Sequence, residues 1–127
     1  MRRISSGAPW EDEVGYSRAI VAGNLVEVSG TTATDSAGNV VAEGDAYLQT
    51  RRAIENVLAA LRKAGAGVEN VVRTRLYVTD ITGWQEYGKA HQEFFGKTRP
   101  ATTMIEVSRL IHPEMLVEIE ATAILEP

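Results

Sequence analysis

The sequence predicts an α+β domain built on one antiparallel or mixed β-sheet with two α-helices on a single face. Three observations carry that expectation. Six short segments read as strands, two longer ones repeat apolar residues at helical spacing, and neither an internal repeat nor a Pro/Ser-rich linker divides the 127 residues. The order is β-β-β-α-β-α-β-β, and two helices set among such strands fit most simply as a layer over one sheet.

A short strand is expected at residues 2–5, then strands at 17–22 and 25–29, with Gly23-Asn24 as the tight turn between them. Residues 35–39 (DSAGN) are loop by composition. The first helix is placed at 45–64, where Leu48, Ile54, Val57, Leu58 and Leu61 recur with helical period, and Gly65 and Gly67 end it. Residues 71–79 alternate, Val72, Thr74, Leu76 and Val78 pointing one way and Arg73, Arg75 and Tyr77 the other. A second helix over 82–95 carries Trp84, Tyr87, Gly88, His91, Phe94 and Phe95 on one stripe, and Gly96 and Pro100 close it. Strands at 102–107 and 116–125 complete the domain.

This pattern assigns the two sides of the sheet. Val26, Val28, Val72, Leu76, Val78, Ile105, Val107, Val117 and Ile119 are expected beneath the helices. Glu27, Ser29, Arg73, Arg75, Tyr77, Glu106, Glu118 and Glu120 are expected on the other side, which carries both signs of charge. Such a face is either solvated with weak ion pairs or covered by symmetric copies of itself.

Composition narrows the function classes. Thirteen Lys and Arg against 17 Asp and Glu give a formal net charge of −4, which argues against general nucleic-acid binding through clustered cations. There is no cysteine, so disulfides, thiolate nucleophiles and cysteine-held metals are excluded. Arg2 and Arg3 are not followed by an apolar stretch of the secretory type, and no apolar run approaches the roughly 20 residues of a membrane helix. A cytoplasmic protein with no membrane contact is the expectation.

Several segments carry more than fold. Gly15-Tyr16 is followed by Gly23-Asn24 and then Val28-Ser29-Gly30; residues 49–57 read QTRRAIENV; residues 71–80 (VVRTRLYVTD) lead into a helix ending in Phe94-Phe95; and RPATTMIEV precedes MLVEIEATA. In this order and spacing the chain resembles the RidA (YjgF/YER057c/UK114) family over nearly its whole length, as a single domain spanning 1–127. The resemblance implies a chorismate-mutase-like fold and a homotrimer whose sheets line a central barrel, with ligand clefts between subunits. On that architecture Arg73 and Arg75 are expected to meet Glu106, Glu118 or Glu120 across an interface.

In the family's deaminating members, the resemblance further implies, water adds to the C=N carbon of an imine, giving a 2-keto acid and ammonia. A guanidinium holds the substrate carboxylate, a carboxylate serves the water, and no metal or organic cofactor is needed. Tyr16, Ser29 and Gly30 match the family's ligand-binding cleft positions, and Glu118 matches the glutamate that activates water. The deaminases read Pro-Ala-Arg-Ser where this chain reads Pro100-Ala101-Thr102-Thr103; Met104 stands where many members have cysteine, and Gly88 where many have asparagine. A threonine hydroxyl brings no charge, so ordinary imine deaminase activity is not the direct expectation, and Arg18 is the one nearby candidate for a replacement cation. The expected function is a trimer that binds a small molecule in intersubunit clefts, as a deaminase or hydrolase of an imine- or enamine-like metabolite. A non-catalytic binding or regulatory trimer is the alternative. The endoribonuclease or translation-inhibitor role attributed to some members is disfavoured by the acidic charge.

The remaining candidates have plainer readings. His91 is expected as a packed, hydrogen-bonded histidine and His112 as an exposed loop residue; two such histidines make no metal motif. Trp84 and Trp10 are expected in packing, with the wall of the cleft as the alternative for Trp10. Arg51-Arg52 are expected as solvated helix positions, and no spacing supports a Ser29–His91–Asp80 triad.

Overall fold

The computed structural model describes residues 1–126. Its elements follow the expected order: β1 (Arg2–Ile4), β2 (Ala19–Ala22), β3 (Leu25–Thr31), α1 (Ala46–Lys63), β4 (Val71–Val78), α2 (Trp84–Phe95), β5 (Ala101–Glu106) and β6 (Val117–Ile124). The strands form one sheet in the order β1-β2-β3-β6-β4-β5. Every pairing is antiparallel except β4–β5, and α2 is the crossover that this parallel pair requires. The β2–β3 hairpin closes at Gly23, whose φ of +62° suits a residue without Cβ.

Helix α1 starts where Asp45 accepts a hydrogen bond from the Leu48 amide (2.9 Å) and stops just before Gly65, at φ +86°. It buries Ala53, Ile54, Val57, Ala60 and Leu61 against β3 and β6. Each large aliphatic side chain so buried contributes about 1.5–3 kcal/mol of hydrophobic transfer. Leu48 does not join them and is 48% exposed. The inward place on that turn goes to Gln49, whose side chain donates to the Glu114 carbonyl (2.8 Å) and accepts from the Leu116 amide (2.9 Å). A leucine there would leave both backbone groups buried and unpaired.

Helix α2 is preceded by a 3-10 turn (Ile81–Gly83) capped by Asp80, so its first turn begins later than the apolar stripe suggests. Tyr87, Ala90 and Phe95 face inward, whereas Trp84 is 56% exposed and takes no part in the core. Tyr47 and Arg51 of α1 both bond Glu93 of α2, tying the two helices side by side.

Three assignments of sheet side are corrected. The β4–β6 register shifts between Val71 and Arg73, so Val71 fills the core and Val72 is turned out, 46% exposed. In the parallel pair Leu76 stands beside Met104, Tyr77 beside Ile105 and Val78 beside Glu106. Ile105 is therefore on the open side, not under the helices, and Glu106 is on the helix side, where it accepts from the Ile81 amide (3.1 Å). Glu106 thus does not belong to the charged face with Arg73 and Arg75. Register decides parity, and the period of a short edge strand does not determine register. No helix among the described residues is long and apolar enough to cross a membrane.

Candidate functional site

The site grows from an irregularity in β3. Its register against β6 shifts between Val28 and Thr31, so Ser29-Gly30 leaves the ladder. Ser29 is tied back to the approach of β2: its amide donates to the Arg18 carbonyl (2.9 Å) and its hydroxyl to the Ser17 carbonyl (2.6 Å). The bulge turns the Gly30 carbonyl toward Arg18, whose Nη1 donates to it at 2.6 Å and to Thr31 Oγ1 at 3.0 Å. Arg18 Nη2 donates to the Tyr16 hydroxyl at 3.1 Å. With 7% exposure and these three bonds, Arg18 is an internal strut between bulge and tyrosine. It is not presented as a free cation for a ligand.

Glu118 projects from β6 across this bulge. A Cβ placed on Gly30 would lie 2.9 Å from Glu118 Cδ and Oε2, so the carboxylate occupies space that only glycine leaves. Burial raises the carboxyl's pKa above its ordinary value, the neighbouring Glu120 raises it further, and Arg18 opposes both. Glu120 is itself held by the Tyr77 hydroxyl at 2.6 Å. A carboxyl whose proton affinity is pushed toward neutrality suits proton transfer to and from water.

Tyr16, Arg18, Ser29, Gly30 and Glu118 open onto one groove of about 800 Å³. Its opposite wall is the N-terminal arm, including Trp10, together with α1. Trp10 is therefore cleft wall, the alternative reading of that residue. The arm is folded down by Glu11, whose carboxylate accepts from the Ser6 amide and hydroxyl and from the Ala8 amide. Burial alone would raise the Glu11 pKa; the hydrogen bonds outweigh it and lower the value. Glu11 heads a π-helical turn (Glu11–Gly15) that delivers Tyr16 to the groove, and no sequence pattern marks that turn. Arg52 is not simply solvated either, since its Nε donates to the Thr34 carbonyl (3.0 Å) at the groove's edge.

Thr102 and Met104 are not in this groove. Both lie on the helix side of β5, with β4 between them and β6, so within one chain Thr102 and Glu118 are on opposite sides of the sheet. Thr102 Oγ1 is 2.8 Å from Thr74 Oγ1, which is 2.8 Å from His91 Nε2. Met104 packs against the core's margin, and Gly88 on α2 has open space where a side chain would start. His91 is packed as expected, its ring centroid 4.7 Å from that of Phe95, and burial lowers its pKa. With His91 bonded to Thr74, Ser29 to Ser17 and Asp80 to Thr82, no triad forms. His112 accepts from the Glu114 amide through Nδ1 (3.1 Å). Among the described residues no group of three or more His, Asp and Glu stands together as a metal site.

Comparison with known proteins decides the lineage. Residues 8–125 match the family model for endoribonuclease L-PSP. The chain belongs to the RidA (YjgF/YER057c/UK114) family. Among RidA-family structures, that of Rv2704 from Mycobacterium tuberculosis is 48% identical, covers 98% of each chain and superposes with a TM-score of 0.89. The YjgF gene product of Escherichia coli is 30% identical, covering 99% of this chain and all of that one at a TM-score of 0.86. A RutC family protein of Pyrococcus abyssi is 38% identical over 111 residues, 87% of each chain. Against the RidA pattern the departure at Thr102 acquires a structure: where the deaminases carry arginine, an uncharged hydroxyl is bound to Thr74, which is in turn bound to His91.

Proposed function

We propose that this protein binds a small molecule in a cleft shared between copies of the chain, in a homotrimer, and that Glu118 activates water there against an imine- or enamine-like carbon. The carrying observation is Glu118 itself, a half-buried carboxyl with raised proton affinity, seated on Gly30 beside the Arg18–Tyr16 strut. Water oxygen bonds to the C=N carbon while the C=N π pair moves to nitrogen, and Glu118 takes one water proton and passes it to that nitrogen; the remaining hydroxyl proton follows by the same route as the C–N bond breaks, leaving C=O and ammonia. The balance needs no redox partner.

Two features support a second copy. The outer edge of β5 is the end of the sheet, with its backbone groups unpaired by strands of this chain. Thr102 and Met104 also reach Glu118 only if another chain presents its β5 to this groove, because one chain holds them on opposite sides. RNA cleavage is disfavoured by the net charge of −4, and the groove's Arg18, Arg52 and Lys63 are each bonded to a backbone carbonyl. A non-catalytic binding module in the same cleft is the competing reading, favoured by the uncharged Thr102.

The test measures pyruvate or 2-ketobutyrate release when a serine or threonine dehydratase supplies the imine, alongside the mass in solution. A trimer whose hydrolysis is lost in Glu118→Gln supports the proposal. A clean monomer would sink the shared cleft. If the parent is inactive and Thr102→Arg becomes active, the parent is not a 2-imino acid deaminase.

A further inference from the structure

Glu118 and Glu120 alternate with buried residues on β6, so both side chains leave the sheet on its open side, their Cα atoms about 7 Å apart. Both line the groove, but their surroundings differ. Tyr77 stands opposite Glu118 in the β4–β6 register, yet its hydroxyl donates to Glu120 at 2.6 Å. Among the described residues no hydrogen-bond donor serves the Glu118 carboxyl, and neither carboxylate is in an ion pair. Arg75 stands opposite Glu120, while Arg73 and Glu27 flank Thr122 farther along the strand. The cation that acts on Glu118 is Arg18, already bonded to Gly30, Thr31 and Tyr16.

We infer that Glu120 is a positioning residue of the groove: pinned as a fixed anion by the Tyr77 hydroxyl, it leaves Glu118 alone to carry the exchanging proton. Two carboxylates on one face repel, so the first proton bound neutralises one of them and relieves the other. A donated hydrogen bond favours the ionised form, and Tyr77 gives that bond to Glu120. The effect is felt on both sides: the bond to Glu120 raises the Tyr77 pKa, and burial followed by the Glu120 charge raises that of Glu118. A water proton released in the groove therefore goes to Glu118, whose neighbour disfavours a second negative charge beside it. The inference rests on the reading of Glu118 as the group that serves the water, and it names the residues that set its proton affinity.

The test follows the carboxyl carbon-13 signals of Glu118 and Glu120 against pH in the parent, Glu120→Gln and Tyr77→Phe. As pH falls, the parent should protonate Glu118 first and Glu120 in a separate, later step. Glu120→Gln should move the Glu118 step to lower pH, because the like charge is gone. Tyr77→Phe should draw the Glu120 signal into the Glu118 step, since the two carboxyls then compete for one proton. Tyrosinate absorbance gives an independent readout: the tyrosine absent from the Tyr77→Phe titration should ionise at lower pH in Glu120→Gln than in the parent. With an imine that the parent hydrolyses, the acid limb of kcat/KM should follow the Glu118 step in each variant, which a merely structural role would not produce. A Glu118 step unmoved in Glu120→Gln overturns the inference, and so does Glu120 protonating before Glu118 in the parent. Tyr77→Phe removes only a hydroxyl, so if Glu120→Gln does not fold, that variant and the parent titration decide. A parent without hydrolysis overturns the catalytic reading of Glu118, while the titrations still decide how the pair divides its charge.

Discussion

The contact between Gly30 and Glu118 makes the sharpest prediction. In Gly30→Ala the new Cβ would start 2.9 Å from Glu118 Cδ and Oε2 and 3.2 Å from Cγ, where ordinary contact begins at 3.4 Å. The carboxylate must therefore retreat by roughly 0.5–1 Å, which a long side chain achieves by leaving its rotamer at about 0.5–1.5 kcal/mol. Gly30 is not in the left-handed region, so alanine also removes unfolded-chain freedom and returns about 0.4–1 kcal/mol. The two nearly cancel, and urea unfolding should place the variant within about 1 kcal/mol of the parent. On the role proposed for Glu118, function should not be so forgiving, because a displacement of about 1 Å at a reacting group costs on the order of 100-fold in rate. Carbon-13 NMR titration of the Glu118 carboxyl, read beside turnover, separates the two effects. A variant with an unchanged Glu118 titration and full turnover would refute the claim that this glycine positions the carboxyl.

Other outcomes are expected from the same structure. Because folding raises the Glu118 pKa above 4.5, the folded chain holds that proton more tightly and loses stability as pH climbs from there through the raised value. Glu118→Gln should consequently be slightly more stable than the parent at pH 7, by under about 1 kcal/mol at this half-exposed site, and indistinguishable from it in strong acid. For Glu11 the sign is opposite: its pKa is lowered, so its stabilisation is complete above 4.5 and fades as pH falls through the folded value. Glu11→Gln should cost about 1 kcal/mol at pH 7 and little in acid, with faster amide exchange at Ser6 and Ala8. His91 is held neutral by burial, so part of the stability should disappear as pH drops below 6.5, and His91→Gln should flatten that portion of the unfolding profile. Gln49→Leu strands the Glu114 carbonyl and the Leu116 amide and should cost about 2–4 kcal/mol in urea unfolding.

Legibility in the sequence followed the physics of each element. Helix α1 was readable because its cap, apolar period and terminal glycines are local signals that agree. Leu48 misled because period alone does not reveal that the neighbouring Gln49 is required inside to satisfy two backbone groups of the β6 approach. Ile105 and Glu106 were assigned to the wrong sides for a related reason: an edge strand touches one neighbour, and its register is set by pairing with β4. In the site, Tyr16, Ser29, Gly30 and Glu118 were legible through family motifs, and the fold does bring them to one groove. Arg18 was visible only as a charge ahead of a strand. Its role as a strut depends on a bulge formed by residues far along the chain.

Element order and helix positions follow from the 127 residues alone, because capping, periodicity and turn chemistry act over a few neighbouring positions, and the family follows from its ordered motifs. The family motif likewise shows Thr102 standing where the deaminases carry a cation. What replaced it was decided in three dimensions, where pairing with β4 and the packing of α2 bring Thr102, Thr74 and His91 into one chain of hydroxyls and imidazole. The separation of Thr102 from Glu118 on opposite sides of the sheet is also a tertiary fact. Side is set by register across strands distant in sequence, and no local pattern encodes that relation.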